Sequence, residues 1–198
     1  ALYQTLEGER VGELGSIRSS RPYYIELALG HDALYVHAGG SPEAYSDLSA
    51  WKVDHMDGVN GGSDAEIFWR DKERRKTMGY EHSLLTSGES ILEYLARGRF
   101  ATEHKDNYTY GQKFVDDATP LNGTAAERVR VKFSQYKTGT FDYDAESRRY
   151  LAGQYGADYV DGDTGERVAA TNLLVLETNI SVIPGDSYGR MKVRTTGE

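Results

Sequence analysis

Cysteine is absent from this 198-residue chain. Its absence excludes disulfide frameworks, thiolate metal sites, cysteine nucleophiles and thiol redox chemistry in one step. No apolar run approaches the roughly 18 residues of a membrane-crossing helix. Positive charge is in deficit, with 23 Lys and Arg against 31 Asp and Glu and a net charge of −8. Proteins that grip nucleic-acid phosphates usually carry a basic surplus or stripe, so nucleic acid is not an expected partner. HExxH and GxSxG are missing, and Gly12-Glu13-Leu14-Gly15 is neither a P-loop nor a Rossmann fingerprint. No internal repeat or heptad is present.

With 38% hydrophobic and 27% charged residues, the composition is that of a soluble globular protein. The length suits one large domain or two small ones. The 15 tyrosines are spread along the chain and suit strands. The sequence starts on Ala1-Leu2-Tyr3, a strand-like run without Met, and stops in mid-pattern at Thr196-Gly197-Glu198. Both ends read as those of a segment trimmed from a longer protein.

Punctuation residues divide the first part into alternating helices and strands. Pro22 suits the first turn of a helix that runs to Gly30, and Ala33 to Ala38 reads as a short buried strand. Ser41 followed by Pro42 is a strong helix start. Ile67-Phe68-Trp69 is a further strand candidate. Thr86-Ser87-Gly88-Glu89 is a capping-box pattern ahead of Ile91, Leu92, Tyr94 and Leu95, with Gly98 as the stop. The texture changes near residue 115, where residues 116–123 suit a linker. Val129, Val131 and Phe133 then alternate with polar residues. Strands are expected at 140–143, 150–154, 169–177 and 190–194, separated by turns. The fold class read from this pattern is α+β: an N-terminal α/β domain (1–115) with a βαβ unit, followed by an antiparallel β-rich domain (116–198).

Two strand-to-helix turns carry the candidate chemistry: Arg18-Ser19-Ser20-Arg21-Pro22 and His37-Ala38-Gly39-Gly40-Ser41-Pro42. If residues 11–17 and 33–38 are neighbouring parallel strands joined by the helix between them, both turns lie at one sheet edge. Helix starts there offer free backbone N–H groups, and Arg18, Ser19, Ser20, Arg21, Gly39, Gly40 and Ser41 together make a cradle for a phosphate or carboxylate. Ordinary capping by the serines explains the same residues. The basic run that follows Phe68 and Trp69 adds Arg70 and Arg74 as cations, Arg70 being the better placed directly after a strand, and Trp69 or Tyr24 a stacking face. The distal Arg75 and Lys76 read as a solvated loop. His37 and His82 are the acid/base candidates, with Ser19 or Ser41 as a possible nucleophile. His31, His55 and His104 sit in unpatterned polar contexts and read as solvated. Asp161-Gly162-Asp163-Thr164-Gly165-Glu166 departs from a calcium loop and reads as a tight hairpin turn. No metal or cofactor is expected.

Gly15-Ser16-Ile17-Arg18-Ser19-Ser20-Arg21-Pro22-Tyr23-Tyr24, then Ala33 to Pro42, then Phe68-Trp69-Arg70-Asp71, resemble successive blocks of the YerB-like lipoprotein family of Gram-positive bacteria. Asp161 with Thr164-Gly165-Glu166, followed by Asn172-Leu173-Leu174-Val175, resembles that family's separate C-terminal domain. Where the family carries a Pro-His-Asn-like segment this chain reads Glu81-His82-Ser83, so only His82 carries over. The resemblance implies export, with a lipid anchor on an N-terminal cysteine outside this sequence as the only link to a membrane. It brings no established activity. Combined with the cradle, it leads to the expectation of an extracytoplasmic module that binds an anionic cell-wall polymer or a peptide carboxylate. The alternatives are an envelope hydrolase or transferase using His37 or His82, and a protein-interaction scaffold.

Overall fold

A computed structural model describes residues 11–109, 111, 115, 116, 119, 123–187 and 189–195. The chain divides into two compact units, Ala1–Lys113 and Phe114–Glu198. The Ala1-Leu2-Tyr3 run and most of the 116–123 linker lie outside the described residues.

In the first unit the order is β1 (Glu13–Gly15), α1 (Pro22–Gly30), β2 (Tyr35–His37), α2 (Pro42–Ala50), β3 (His55–Asp57), a 3-10 turn at Ser63–Ile67, β4 (Trp69–Arg70), α3 (Lys72–Thr77), a second 3-10 turn at Tyr80–His82, β5 (Leu84–Ser87) and α4 (Gly88–Leu95). The helix starts follow local chemistry. Pro22 and Pro42 open α1 and α2, and Ser41 Oγ accepts the Ala44 amide at 3.2 Å. The α4 cap is Ser87, which accepts the Ser90 amide, rather than Thr86. Thr86 is a buried residue of β5 whose hydroxyl is already committed to the Ile67 carbonyl.

Pairing around β1 differs from expectation. β1 lies antiparallel to β5, and β5 to β4. The parallel contact with the second turn is made further along the chain, by residues 18–20. Ala38 N–H donates to the Arg18 carbonyl at 2.9 Å, Ser20 N–H to the Gly39 carbonyl at 2.8 Å, and Ser20 and Gly40 form a parallel bridge. A second parallel unit joins β2 through α2 to β3, with His37 opposite Asp57. Ile67 ends a 3-10 turn, so the expected 67–69 strand shrinks to Trp69–Arg70. The basic run forms α3, with Asp71 accepting the Arg74 amide at 2.7 Å as its cap, rather than a loop.

Alternation along β2 places the core on both of its faces. Tyr35 packs on the cluster of Ile25, Ala44, Leu48 and Val53 from α1, α2 and the approach to β3. Val36 packs on the cluster of Met56, Ile67, Ile91 and Tyr94. Gly88, the first residue of α4, has no room for a side chain: an added Cβ would sit 2.4 Å from the Val11 carbonyl oxygen. Gly88→Ala is therefore expected to cost about 1–3 kcal/mol by overpacking. Gly30→Ala, with nothing within 4 Å of the new methyl, is expected to be neutral within about 0.5 kcal/mol. Parallel urea titrations check the contrast.

The second unit contains β6 (Arg128–Lys132), β7 (Thr138–Asp144), β8 (Arg149–Gln154), β9 (Ala157–Asp158), β10 (Ala169–Ala170), β11 (Thr178–Val182) and β12 (Met191–Thr195). An antiparallel sheet runs β10-β8-β7-β6, β9 also pairs with β8, and β11-β12 is a separate hairpin. Pairing with β8 ends at Ala170, so the expected 169–177 strand stops after two residues. Between β9 and β10, the Asp161 carboxylate accepts the Asp163 and Thr164 amides at 3.1 and 2.9 Å, which makes this segment the turn of a tight hairpin. These amide bonds lower the Asp161 pKa. The whole is an α+β chain, with its helices in the first unit and antiparallel sheet in the second.

Candidate functional site

The parallel register of β2 and β3 sets Asp57 beneath the Gly39-Gly40 turn. Gly39 takes φ +71°, a left-handed conformation that glycine adopts without steric cost. Its N–H then donates to Asp57 Oδ1 at 2.7 Å, and the Val59 N–H to the same oxygen at 2.9 Å. The Tyr45 hydroxyl donates to Oδ2 at 2.6 Å. Asp57 is only 2% exposed. Burial raises its pKa, but the Tyr45, Gly39 and Val59 bonds and nearby His37 outweigh that, and the carboxyl titrates below its usual range. A carboxylate of the protein itself thus satisfies the Gly39 amide, one of the donors that the sequence offers to a ligand.

The other residues of the expected cradle also meet there, largely with internal partners. Ser41 Oγ caps α2, Ser20 N–H is held by Gly39, and Arg21 Nη1 donates to the Ser20 carbonyl at 2.7 Å. Ser20 is fully buried, while Ser19 is partly exposed beside Gly39.

His37 is 1% exposed, and both of its ring nitrogens are engaged. Nδ1 lies 2.8 Å from the Gly39 carbonyl oxygen, and Nε2 lies 2.9 Å from His55 Nδ1. A carbonyl only accepts, so Nδ1 carries the hydrogen; neutral His37 then accepts at Nε2 from His55 Nδ1–H. Burial pushes the His37 pKa down, against the opposing pull of the Gly39 carbonyl and of Asp57. His37 is therefore a buried brace with no nitrogen open to a substrate. His55, read from sequence as solvated, is its partner. His104 is likewise not simply solvated, because it pairs with Asp32 at 3.5 Å and stacks near Tyr108.

The arginines gather elsewhere, around the 3-10 turn at Tyr80–His82. Arg18 Nη1 donates to the Glu81 carbonyl at 2.9 Å, and Nη2 to Glu81 Oε2 at 3.2 Å. Its Nη1 is also 3.4 Å from His82 Nδ1, which must accept because a guanidinium only donates. Arg70 Nη1 donates to the Tyr80 carbonyl at 2.7 Å, and its guanidinium lies 3.5 Å from the Tyr80 ring centroid. Arg74 Nε donates to the His82 carbonyl at 3.2 Å. Each of the three successive carbonyls of this turn is held by a different arginine, and the Tyr80 carbonyl also accepts the Ser83 amide at 3.3 Å and the Ser83 hydroxyl at 2.7 Å. The turns share a frame, because the Ala38 amide that opens the Gly-Gly turn fixes the Arg18 backbone. Arg18, Arg70 and His82 thus belong to the arginine cluster, while Ser19, Ser20, Arg21, His37, Gly39, Gly40 and Ser41 belong to the braced turn. Trp69 is half-buried in β4.

Sequence reasoning pointed to Arg74 through the basic run but missed Asp57, Tyr45 and Glu81. A local signal existed only for Asp57, in the Asp57-Gly58 step after buried Met56.

Comparison with known proteins agrees with this architecture. Residues 1–101 match the N-terminal domain of a family described as protein of unknown function (DUF3048), and residues 129–198 match its C-terminal domain. A Bacillus subtilis (strain 168) protein named "Putative lipoprotein YerB" is 26% identical over 201 residues, covering 100% of this chain and 57% of the relative. The chain thus spans less than two thirds of that relative's length. The crystal structure of YerB protein from Bacillus subtilis superimposes with a TM-score of 0.66 over 92% of this chain and 58% of that one, at 24% identity. Among the described residues no helix is long and apolar enough to cross a membrane. Matched along both of its units, the chain belongs to the DUF3048 family, the YerB-like family that its sequence blocks resemble.

Proposed function

We propose that this chain is an extracytoplasmic part of a lipid-anchored protein and binds an anionic cell-envelope ligand without converting it, through the guanidiniums of Arg18, Arg70 and Arg74. The relative's name as a lipoprotein supports the location. The observation that carries the binding role is a surplus of charged donors at the Tyr80–His82 turn. A guanidinium has five N–H donors. Among the described residues, Arg74 uses only Nε and Arg70 only Nη1. Residues 70–76 hold five basic against two acidic side chains in a chain of net charge −8. Surplus guanidinium N–H groups on a partly exposed cluster suit a phosphate- or carboxylate-bearing polymer or a peptide carboxylate, which they bind by charge-assisted hydrogen bonds.

Within this reading Ser19, Ser20, Arg21, Gly39, Gly40 and Ser41 frame the site and fix Arg18. The burial and full hydrogen bonding of His37, together with the capping role of Ser41 Oγ, favour binding over acid/base catalysis there. The test is an NMR titration with a glycerol-phosphate oligomer and a short muropeptide, observing arginine Nε–H resonances. Arg18→Gln with Arg74→Gln is expected to weaken binding about a hundredfold, because two charge-assisted hydrogen bonds are each worth roughly 1.5 kcal/mol or more. Unchanged affinity in the folded double variant overturns the proposal.

A further inference from the structure

We infer that Glu81 is an internal stand-in for the ligand: its carboxylate occupies the Arg18 end of the arginine cluster, and an incoming oxyanion displaces it. This inference rests on the anion-binding reading and adds how that site is regulated. Among the described residues, Arg18 is the one cluster guanidinium that meets a carboxylate; Arg70 and Arg74 meet carbonyls, a hydroxyl and an aromatic face. The backbone and the side chain of Glu81 are held separately. Its carbonyl accepts Arg18 Nη1, while the Tyr80 and His82 carbonyls on either side are held by Arg70 and Arg74. The turn therefore stays in place when the side chain leaves, and only Arg18 Nη2 is released.

Little holds that side chain. The ion pair has side-chain exposures of 48% for Arg18 and 77% for Glu81. Exposed pairs of this kind are weak and screened by salt. Arg74, which binds the same turn through the His82 carbonyl, retains unused Nη donors. An oxyanion that replaced Glu81 at Nη2 would gain the guanidinium that the carboxylate now neutralises. The ligand class follows from the occupant: a carboxylate or a phosphate oxygen, both of which fit the guanidinium fork.

Glu81→Gln removes the stand-in charge and leaves the carbonyl in place. Glu73→Gln is the control, because Glu73 is an exposed acid of α3 next to Arg74 and its removal changes net charge equally. The full chain is titrated in separate arms with inorganic phosphate and with acetate, following arginine side-chain resonances and heats of binding. Glu81→Gln is expected to bind about five- to tenfold more tightly than wild type, and Glu73→Gln less than twofold more tightly. A gain confined to the phosphate arm assigns a phosphate-bearing ligand, and one confined to acetate a carboxylate. Equal gains in the two variants, or no gain in Glu81→Gln while wild type binds, overturn the stand-in role and leave the anion site intact. Failure of wild type and Glu81→Gln alike to bind either probe overturns the anion reading itself.

Discussion

Asp57→Ala should destabilise the first unit by about 3–5 kcal/mol, the range found when one partner of a buried charged cluster is removed. The carboxylate accepts three hydrogen bonds: from the Gly39 amide, the Val59 amide and the Tyr45 hydroxyl. Alanine leaves the amides without their acceptor next to a buried histidine, and an unsatisfied buried donor costs about 1–3 kcal/mol. Tyr45 loses less, because Asn60 still donates to its oxygen. Asp57→Asn keeps an oxygen for the two amides but turns an NH2 group toward Tyr45, so its cost is expected to be smaller, about 1–2 kcal/mol. Urea unfolding, with hydrogen exchange at Gly39 and Val59 as the local readout, measures both. A loss below about 1 kcal/mol for Asp57→Ala would show that the Gly-Gly turn does not depend on this carboxylate.

The same network should make stability fall with acid in two stages. The His37 pKa is lowered, chiefly by burial. Above the unfolded value of about 6.5 both states carry a neutral imidazole and stability is full. As the pH drops below it, the unfolded chain binds a proton that native His37 resists, so stability declines toward the lower folded value. Asp57 is also lowered, burial being outweighed by its hydrogen bonds, so its contribution is complete above about 3.9 and lost as the pH falls through its folded value. Asp32, held low by the Lys105 amide, acts in the same acid range. Protonation of His37 also sets its Nε2–H against the His55 Nδ1–H until His55 turns. The groups facing the imidazole are Asp57 and His55 on β3, Asp64 in the 3-10 turn, and Tyr35 and Tyr45. His37→Gln is expected to cost about 2–4 kcal/mol at pH 7 through lost packing and a stranded carbonyl. It should also flatten the profile between pH 5 and 7. Melting temperatures measured from pH 4 to 8 test this, and a wild-type curve already flat from 5 to 7 contradicts it.

Much of the secondary structure was legible because its signals are local. A proline at the first helical position and a serine before it act within one turn, so α1, α2 and the alternation of β6 are readable from a few consecutive residues. Strands β3 and β5 were not foreseen. β3 is three residues long, and β5 is a run of Leu84-Leu85-Thr86-Ser87 that runs directly into a capping motif. The α4 cap was misread by one residue because Thr86 and Ser87 are equally good caps in isolation, and only the β5 register buries one of them.

The cradle shows the same division more sharply. Composition and order determined that serines, glycines and a histidine would assemble at two strand-to-helix turns, since each helix start needs a cap and each tight turn a glycine. They also identified the family, through blocks of consecutive residues. Only the tertiary structure decided which charges meet. Asp57 reaches the Gly39 amide across 18 residues through the parallel register of β2 and β3, and Arg18 reaches Glu81 across 63. Charged side chains carry no periodicity that records their partners. Their pairing is fixed by the packing of the two core clusters on either side of β2, a property of the folded chain as a whole.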